Sequence, residues 1–140
     1  MLSLVVTKRA IGLLTVAFLR HTATAFFCVL YPGDLAESPS FRIIRQVLPL
    51  RWWALVFALV SMVLLVGIAF GREMICRVGL AFSAALTGCW LTAFVATIYV
   101  YGVPPSPMLP VAWAALLAKD LIISSGPLIR PKAIVLPSTP

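Results

Sequence analysis

Charge is what this sequence has least of. Its 140 residues hold four acids, Asp34, Glu37, Glu73 and Asp120, and eleven Lys and Arg. Charged residues make up 11% of the chain and apolar residues 62%, against ~25% and ~45–50% in soluble domains. So few charges cannot clothe a water-soluble globule of this size, which leaves an integral membrane protein. The single histidine, His21, excludes metal sites built on several imidazoles. Cys28, Cys76 and Cys89 are widely spaced and mostly inside apolar runs; they form neither a disulfide framework nor a zinc motif and read as small hydrophobes. No serine sits in a nucleophile elbow, and there is no phosphate loop or dinucleotide fingerprint. No catalytic residue, metal site or cofactor is expected, and the chain does not read as an enzyme.

The formal net charge is +7. The basic residues do not form a stripe interleaved with aromatics, so nucleic acid is not the expected partner. They sit at the edges of apolar runs, at Lys8-Arg9, Arg42, Arg45, Arg51, Arg72, Arg77, Arg130 and Lys132. That placement suits anchors in a lipid bilayer containing anionic lipids.

Long uncharged runs dominate what is present. Trp52–Gly71 is one of 20 residues and Val78–Ala118 one of 41. A helix needs ~20 apolar residues to cross ~30 Å of hydrocarbon, so the first run is one span and the second is two. Residues 102–110 contain Pro104, Pro105, Pro107 and Pro110, which no helix continues through, so the two spans fold back there as a hairpin. The expected fold is all-α: four transmembrane helices over about 13–31, 52–70, 78–101 and 107–124, in a domain of residues 1–125. Residues 126–140 form a proline-rich flexible tail. The first segment also fits a secretory signal, with Lys8-Arg9, an apolar core Ala10–Leu19 and a cleavage site at Ala23–Ala25.

Residues 38–48 differ from the rest. Ser38 suits an N-cap and Pro39 the first helical position. On a helical wheel Phe41, Ile43, Ile44, Val47 and Leu48 take one side, Arg42, Arg45 and Gln46 the other. Eleven residues cannot span, so this is a short amphipathic interfacial helix, with packing against the bundle as the alternative. Tyr31–Asp34 before it reads as a turn. Trp52, Trp53, Tyr99 and Tyr101, with Arg42 and Arg45, are expected as interface anchors on one membrane face, and the loop Gly71–Arg77 joins the second and third spans.

Two patterns stand out inside the spans. Arg20, Lys119 and Asp120 place charge in lipid, which costs ~2.5–3.5 kcal/mol per residue on insertion scales. Arg20 and Asp120 are therefore expected to pair. The third span carries two small-residue rows, Gly79-Ser83-Thr87 and Ala84-Gly88-Thr92. Such rows let helices approach closely, within the chain or in a homo-oligomer or complex with other membrane proteins.

The stretch Asp34-Leu-Ala-Glu-Ser-Pro-Ser-Phe41, followed after Leu48-Pro49 by Arg51-Trp-Trp53, resembles four-span membrane proteins encoded by actinobacterial phages and prophages. That resemblance implies an accessory membrane role or, as for some phage proteins of this size, a holin-like permeabiliser. The hairpin from Gly67 through Gly71-Arg72 to Arg77-Val-Gly-Leu80 is similar to the four-helix DoxX-like family, which implies a subunit of a membrane redox or transport complex. With both termini on one side, that side carries Lys8, Arg9, Arg72, Arg77, Lys119, Arg130 and Lys132, and the other Arg42, Arg45 and Arg51. The positive-inside rule then puts both termini in the cytoplasm of a cell with this protein in its inner membrane, and leaves Cys76 accessible to labelling from the cytoplasmic side.

Overall fold

A computed structural model describes residues 4–6, 8–102, 108–126 and 129–131, with the backbone alone for 4–6, 8–9, 34–36, 108–109, 124 and 129–131. The chain runs β1 (Leu4–Val6), α1 (Lys8–Leu30), α2 (Pro32–Glu37), a 3-10 turn (Pro39–Phe41), α3 (Arg42–Val47), α4 (Leu50–Phe70), α5 (Glu73–Tyr101), α6 (Met108–Ser125) and β2 (Ile129–Pro131). Among the described residues three helices, Ala10–Leu30 within α1, α4 and α5, are long and apolar enough to cross a membrane. Helix α6 has 18 residues and reaches ~27 Å.

Successive long helices pack on one another: α1 on α4, α4 on α5 and α5 on α6. Short connections make neighbours antiparallel. The one between α4 and α5 is only Gly71-Arg72, because α5 begins at Glu73, five residues earlier than the apolar run suggests. Gly71 ends α4 at φ 60°, a left-handed conformation cheap only for glycine. Glu73 then starts α5 with its carboxylate at the positive end of the helix, accepting from Arg77 Nη2 at 2.8 Å one turn on. Gly102 closes α5 in the same way at φ 61°. The proline hairpin beyond it falls on residues 103–107, outside the described residues, as does the tail from residue 132. Of the tail before that, Ile129–Pro131 pairs antiparallel with Leu4–Val6, which places the segment before α1 beside the segment after α6.

The α1–α4 connection departs from expectation in two places. Pro32–Glu37 is a short helix and not a turn, with Pro32 at the first position, where its missing N–H costs nothing. Residues 38–48 are not one helix: a 3-10 turn hands over to α3 at Phe41. Ser38 stands at the N-cap but makes no side-chain cap bond. The segment folds back on α5. Phe41 meets Trp90 and Phe94 edge-on at 5.8 and 5.5 Å, Ile44 is buried, and the Arg42 guanidinium lies 4.4 Å over the Tyr101 ring.

The core is layered along α5. Near its start Gly79 faces α4 so closely that a Cβ there would sit 2.9 Å from Leu64 Cδ2. Ser83 and Thr87 follow as a polar layer, both fully buried. Trp90 comes next, in edge contact with Phe57 at 4.9 Å and Trp53 at 5.7 Å, and stacked on Trp113 at 5.1 Å. The row Gly79-Ser83-Thr87 is therefore consumed inside the chain. Gly88 of the other row faces Leu117 of α6, with ordinary contact distance for an added Cβ, Ala84 is buried beside it, and only Thr92 is exposed.

This packing separates two glycines by outcome. Gly79→Val should force α4 and α5 apart and cost ~1–3 kcal/mol, the range for overpacking a filled site. Gly12→Ala, where nothing lies within 4 Å, should be neutral or stabilising by ~0.5–1 kcal/mol. Thermal unfolding of detergent-solubilised protein, followed by circular dichroism, measures both.

Candidate functional site

The charges isolated in the apolar runs converge where α1, α5 and α6 meet. Arg20 Nη2 lies 2.8 Å from Asp120 Oδ2, 2.7 Å from Ser83 Oγ, 3.1 Å from Thr87 Oγ1 and 2.9 Å from His21 Nε2. Asp120 is fully enclosed, and the Arg20 side chain is 12% exposed. Ser83 and Thr87 are one helical turn apart on α5, so their hydroxyls share a face turned toward both charges.

Two Nη2 hydrogens cannot serve four acceptors, so the network must be sorted. The Thr87 hydroxyl donates to Ser83 O at 2.6 Å, leaving its lone pairs for Arg20. The Ser83 hydroxyl donates to Asp120 Oδ2 at 2.6 Å, leaving its lone pairs for His21 Nε2–H at 2.7 Å. Arg20 Nη2 then donates to Asp120 and Thr87. This assignment follows from the network and leaves His21 Nδ1, which has no partner among the described residues, as a bare lone pair and not an orphaned N–H. The His21 ring is held from the other side by Phe57, stacked at 5.5 Å.

Lys119 Nζ approaches Asp120 Oδ1 to 3.0 Å, but without hydrogen-bond alignment. It contributes charge and no directed bond. Two cations face one carboxylate, so the cluster carries an excess positive charge before any on His21. Arg20 Nε and Nη1 find no acceptor among the described residues. They belong to a side chain that also lines a cavity of 310 Å³ with Phe27, Phe41 and Trp90.

Ser83, His21 and Asp120 are the residue types of a nucleophilic triad, but not its geometry. In a triad the acid orients the imidazole and the imidazole takes the serine proton. Here the carboxylate takes the Ser83 bond directly and, among the described residues, nothing holds His21 Nδ1. Ser83 is fully buried. Among the described residues no three His, Cys, Asp or Glu gather as metal ligands. What the arrangement does is fasten three helices together through buried polar groups.

Of the residues expected at the interface, Trp52 and Tyr99 face outward, whereas Trp53 is buried and donates its indole N–H to Ile44 O at 3.0 Å. Tyr101 is partly covered, receiving Gln46 Nε2 at 3.2 Å. Arg42 sits over it, and Arg45 is half-buried. Cys76, expected to be accessible, is fully buried, with its backbone and Sγ against Gly67. Ser83, Thr87 and His21 are the members of the cluster that the sequence does not assign to it.

Breaking a buried ion pair strands the other charge and costs ~3–5 kcal/mol, whereas replacing both partners is often nearly neutral. Asp120→Asn and Arg20→Met should each lower the yield of folded protein sharply. Combining Arg20→Met with Asp120→Leu should recover much of it, and Glu37→Gln, at an exposed position, should change nothing. Size-exclusion profiles of the extracted variants give the comparison, and a double variant no better than the singles would deny the coupling. No protein-family model, curated protein or solved structure matches this chain, so its function is read from its own geometry.

Proposed function

We propose that this is a four-span protein of the bacterial inner membrane, both termini cytoplasmic, with an accessory and non-enzymatic role beside other membrane proteins. Its phage or prophage origin rests on the resemblance at Asp34–Trp53. One observation carries the accessory reading: the strongly polar groups of the spans are spent in a single enclosed cluster, and the outer faces are apolar. Phe26, Phe27 and Leu30 on α1, Leu59, Met62 and Phe70 on α4, Phe82 on α5 and Leu121 and Ile122 on α6 are exposed. Hydroxyls nearer the surface bond back to their own helix, Thr15 to Ile11 O and Thr92 to Gly88 O. An oligomeric permeabiliser needs a polar stripe to face water, and the described residues supply none.

Helix α6 serves as the fourth span in this reading. Lys119 and Asp120 interrupt it, but both are engaged with each other or with α1, and Trp113 and Ile123 are buried. The pairing of Leu4–Val6 with Ile129–Pro131 supports an even number of crossings, because it puts both ends on one side.

Induced expression in bacteria carrying a potential-sensitive dye tests the role. An accessory protein leaves the potential unchanged for hours, while a holin-like protein collapses it abruptly after a lag. Orientation needs a new probe, since Cys76 is buried. In intact cells an impermeant maleimide should label Glu37→Cys and spare Arg72→Cys until the membrane is opened. The reverse pattern would invert the topology.

A further inference from the structure

The outer side of the α1–α4 pair carries a trough of 620 Å³. Its floor is made of small side chains, Thr22 and Ala25 from α1 and Ala54, Ala58 and Ser61 from α4, and large ones such as Phe26, Leu55 and Met62 form its walls. Small residues where two helices meet and large ones flanking them are what leave a channel open. Along α4 the lining runs from Arg51 to Leu65, ~21 Å at 1.5 Å per residue. One leaflet of the hydrocarbon is ~15 Å deep, so the trough covers that depth and begins at the headgroup level.

The polar atoms of the floor ask nothing of an occupant. Thr22 Oγ1 donates to Ser61 Oγ at 3.2 Å, and Ser61 Oγ to Phe18 O at 3.4 Å. The charge is all at one end. Arg51 lines the trough there, its side chain is exposed, and it has no ion pair among the described residues. A second protein helix laid along the trough would cover this guanidinium with apolar side chains, at the cost of an unpaired charge. A lipid phosphate neutralises it while its chain fills the apolar length.

We propose that the α1–α4 trough is a binding site for one acyl chain of an anionic phospholipid, with the phosphate held by Arg51. The chain lies on Ala25, Ala54 and Ala58 and passes the Thr22–Ser61 pair without bonding it. The headgroup choice resides in Arg51 and the chain affinity in the floor, so the two separate by mutation.

Binding of fluorescent phosphatidylglycerol and phosphatidylcholine to the full chain in neutral detergent micelles tests this. Wild type should prefer phosphatidylglycerol roughly five-fold, the equivalent of one basic residue near a membrane surface. Arg51→Gln should erase that preference and leave phosphatidylcholine binding as it was. Arg72→Gln, on the opposite side of the membrane, should keep it. Ala58→Phe should weaken both lipids by filling the floor. Equal affinities in wild type, or a preference surviving Arg51→Gln, would overturn the proposal. So would a dimer that Ala58→Phe dissolves while lipid binding stays intact, since the trough would then belong to a second copy. Arg51 is exposed at a helix end and its variant does not threaten folding, so the headgroup comparison decides the matter even if Ala58→Phe fails to fold.

Discussion

The bond between Arg20 and Asp120 is the contact on which the closed bundle depends. Three of the long-helix contacts follow from chain order alone, since α1, α4, α5 and α6 are successive and each lies against the next. Nothing in that order brings α6 back to α1. In lipid there is no hydrophobic force between helices to do so. The two helices meet over a short stretch, and at that stretch a guanidinium meets a carboxylate at 2.8 Å. In the four-span reading, the cost of an isolated charge in hydrocarbon is thereby turned into a reason for the first and last helices to meet.

The layers of α5 fit this constraint. Gly79 lets α4 come close on one side, and one turn further Ser83 supplies the hydroxyl that links His21 to Asp120. Thr87 supplies a second acceptor for Arg20. Three residues on, Trp90 begins the aromatic layer, wedged between α4 and α6 by Trp53, Phe57 and Trp113. The polar layer is thus sealed by the Gly79–Leu64 contact toward one end and by the indole stack toward the other. A charge cluster of this kind is weak evidence of net stability but good evidence of a specified arrangement, because a register shift of one residue would turn a hydroxyl away from the charges and leave them unpaired.

Much of this was legible in the sequence where lipid imposes a rule. Uncharged runs marked α4 and α5, an apolar stretch broken only by Arg20-His21 marked α1, and charge of opposite sign inside the apolar runs marked the pairing of Arg20 with Asp120. The rules fail where direction around a helix matters. Trp52 and Trp53 both match the aromatic belt, but successive residues of a helix point ~100° apart, so only one can face the headgroups; Trp53 faces the core. Ser83 and Thr87 read as small packing residues because spacing cannot distinguish a row that packs from a row that bonds. The signal was their type: hydroxyls four apart, on a span whose neighbours carry charges, offer acceptors that glycine and alanine cannot. His21 was masked by being alone and beside an arginine. Pro32-Gly33 reads as a turn, yet proline at a first helical position permits α2.

In the four-span reading, the same reasoning bears on the charges of α6. On its own, Lys119-Asp120 adds roughly 2.5–3.5 kcal/mol per residue against insertion, set against the apolar remainder of an 18-residue helix. The carboxylate accepts from both Ser83 and Arg20 in the closed bundle, and Lys119 lies beside it. Arg20 carries the same kind of penalty on α1, and both are relieved where α1, α5 and α6 meet. The hydroxyl face of α5 and the Arg20 guanidinium together form the receptor for Asp120 of α6. The strand pair Leu4–Val6 with Ile129–Pro131 lies next to the start of α1 and the end of α6 in the chain, the two helices that the ion pair joins.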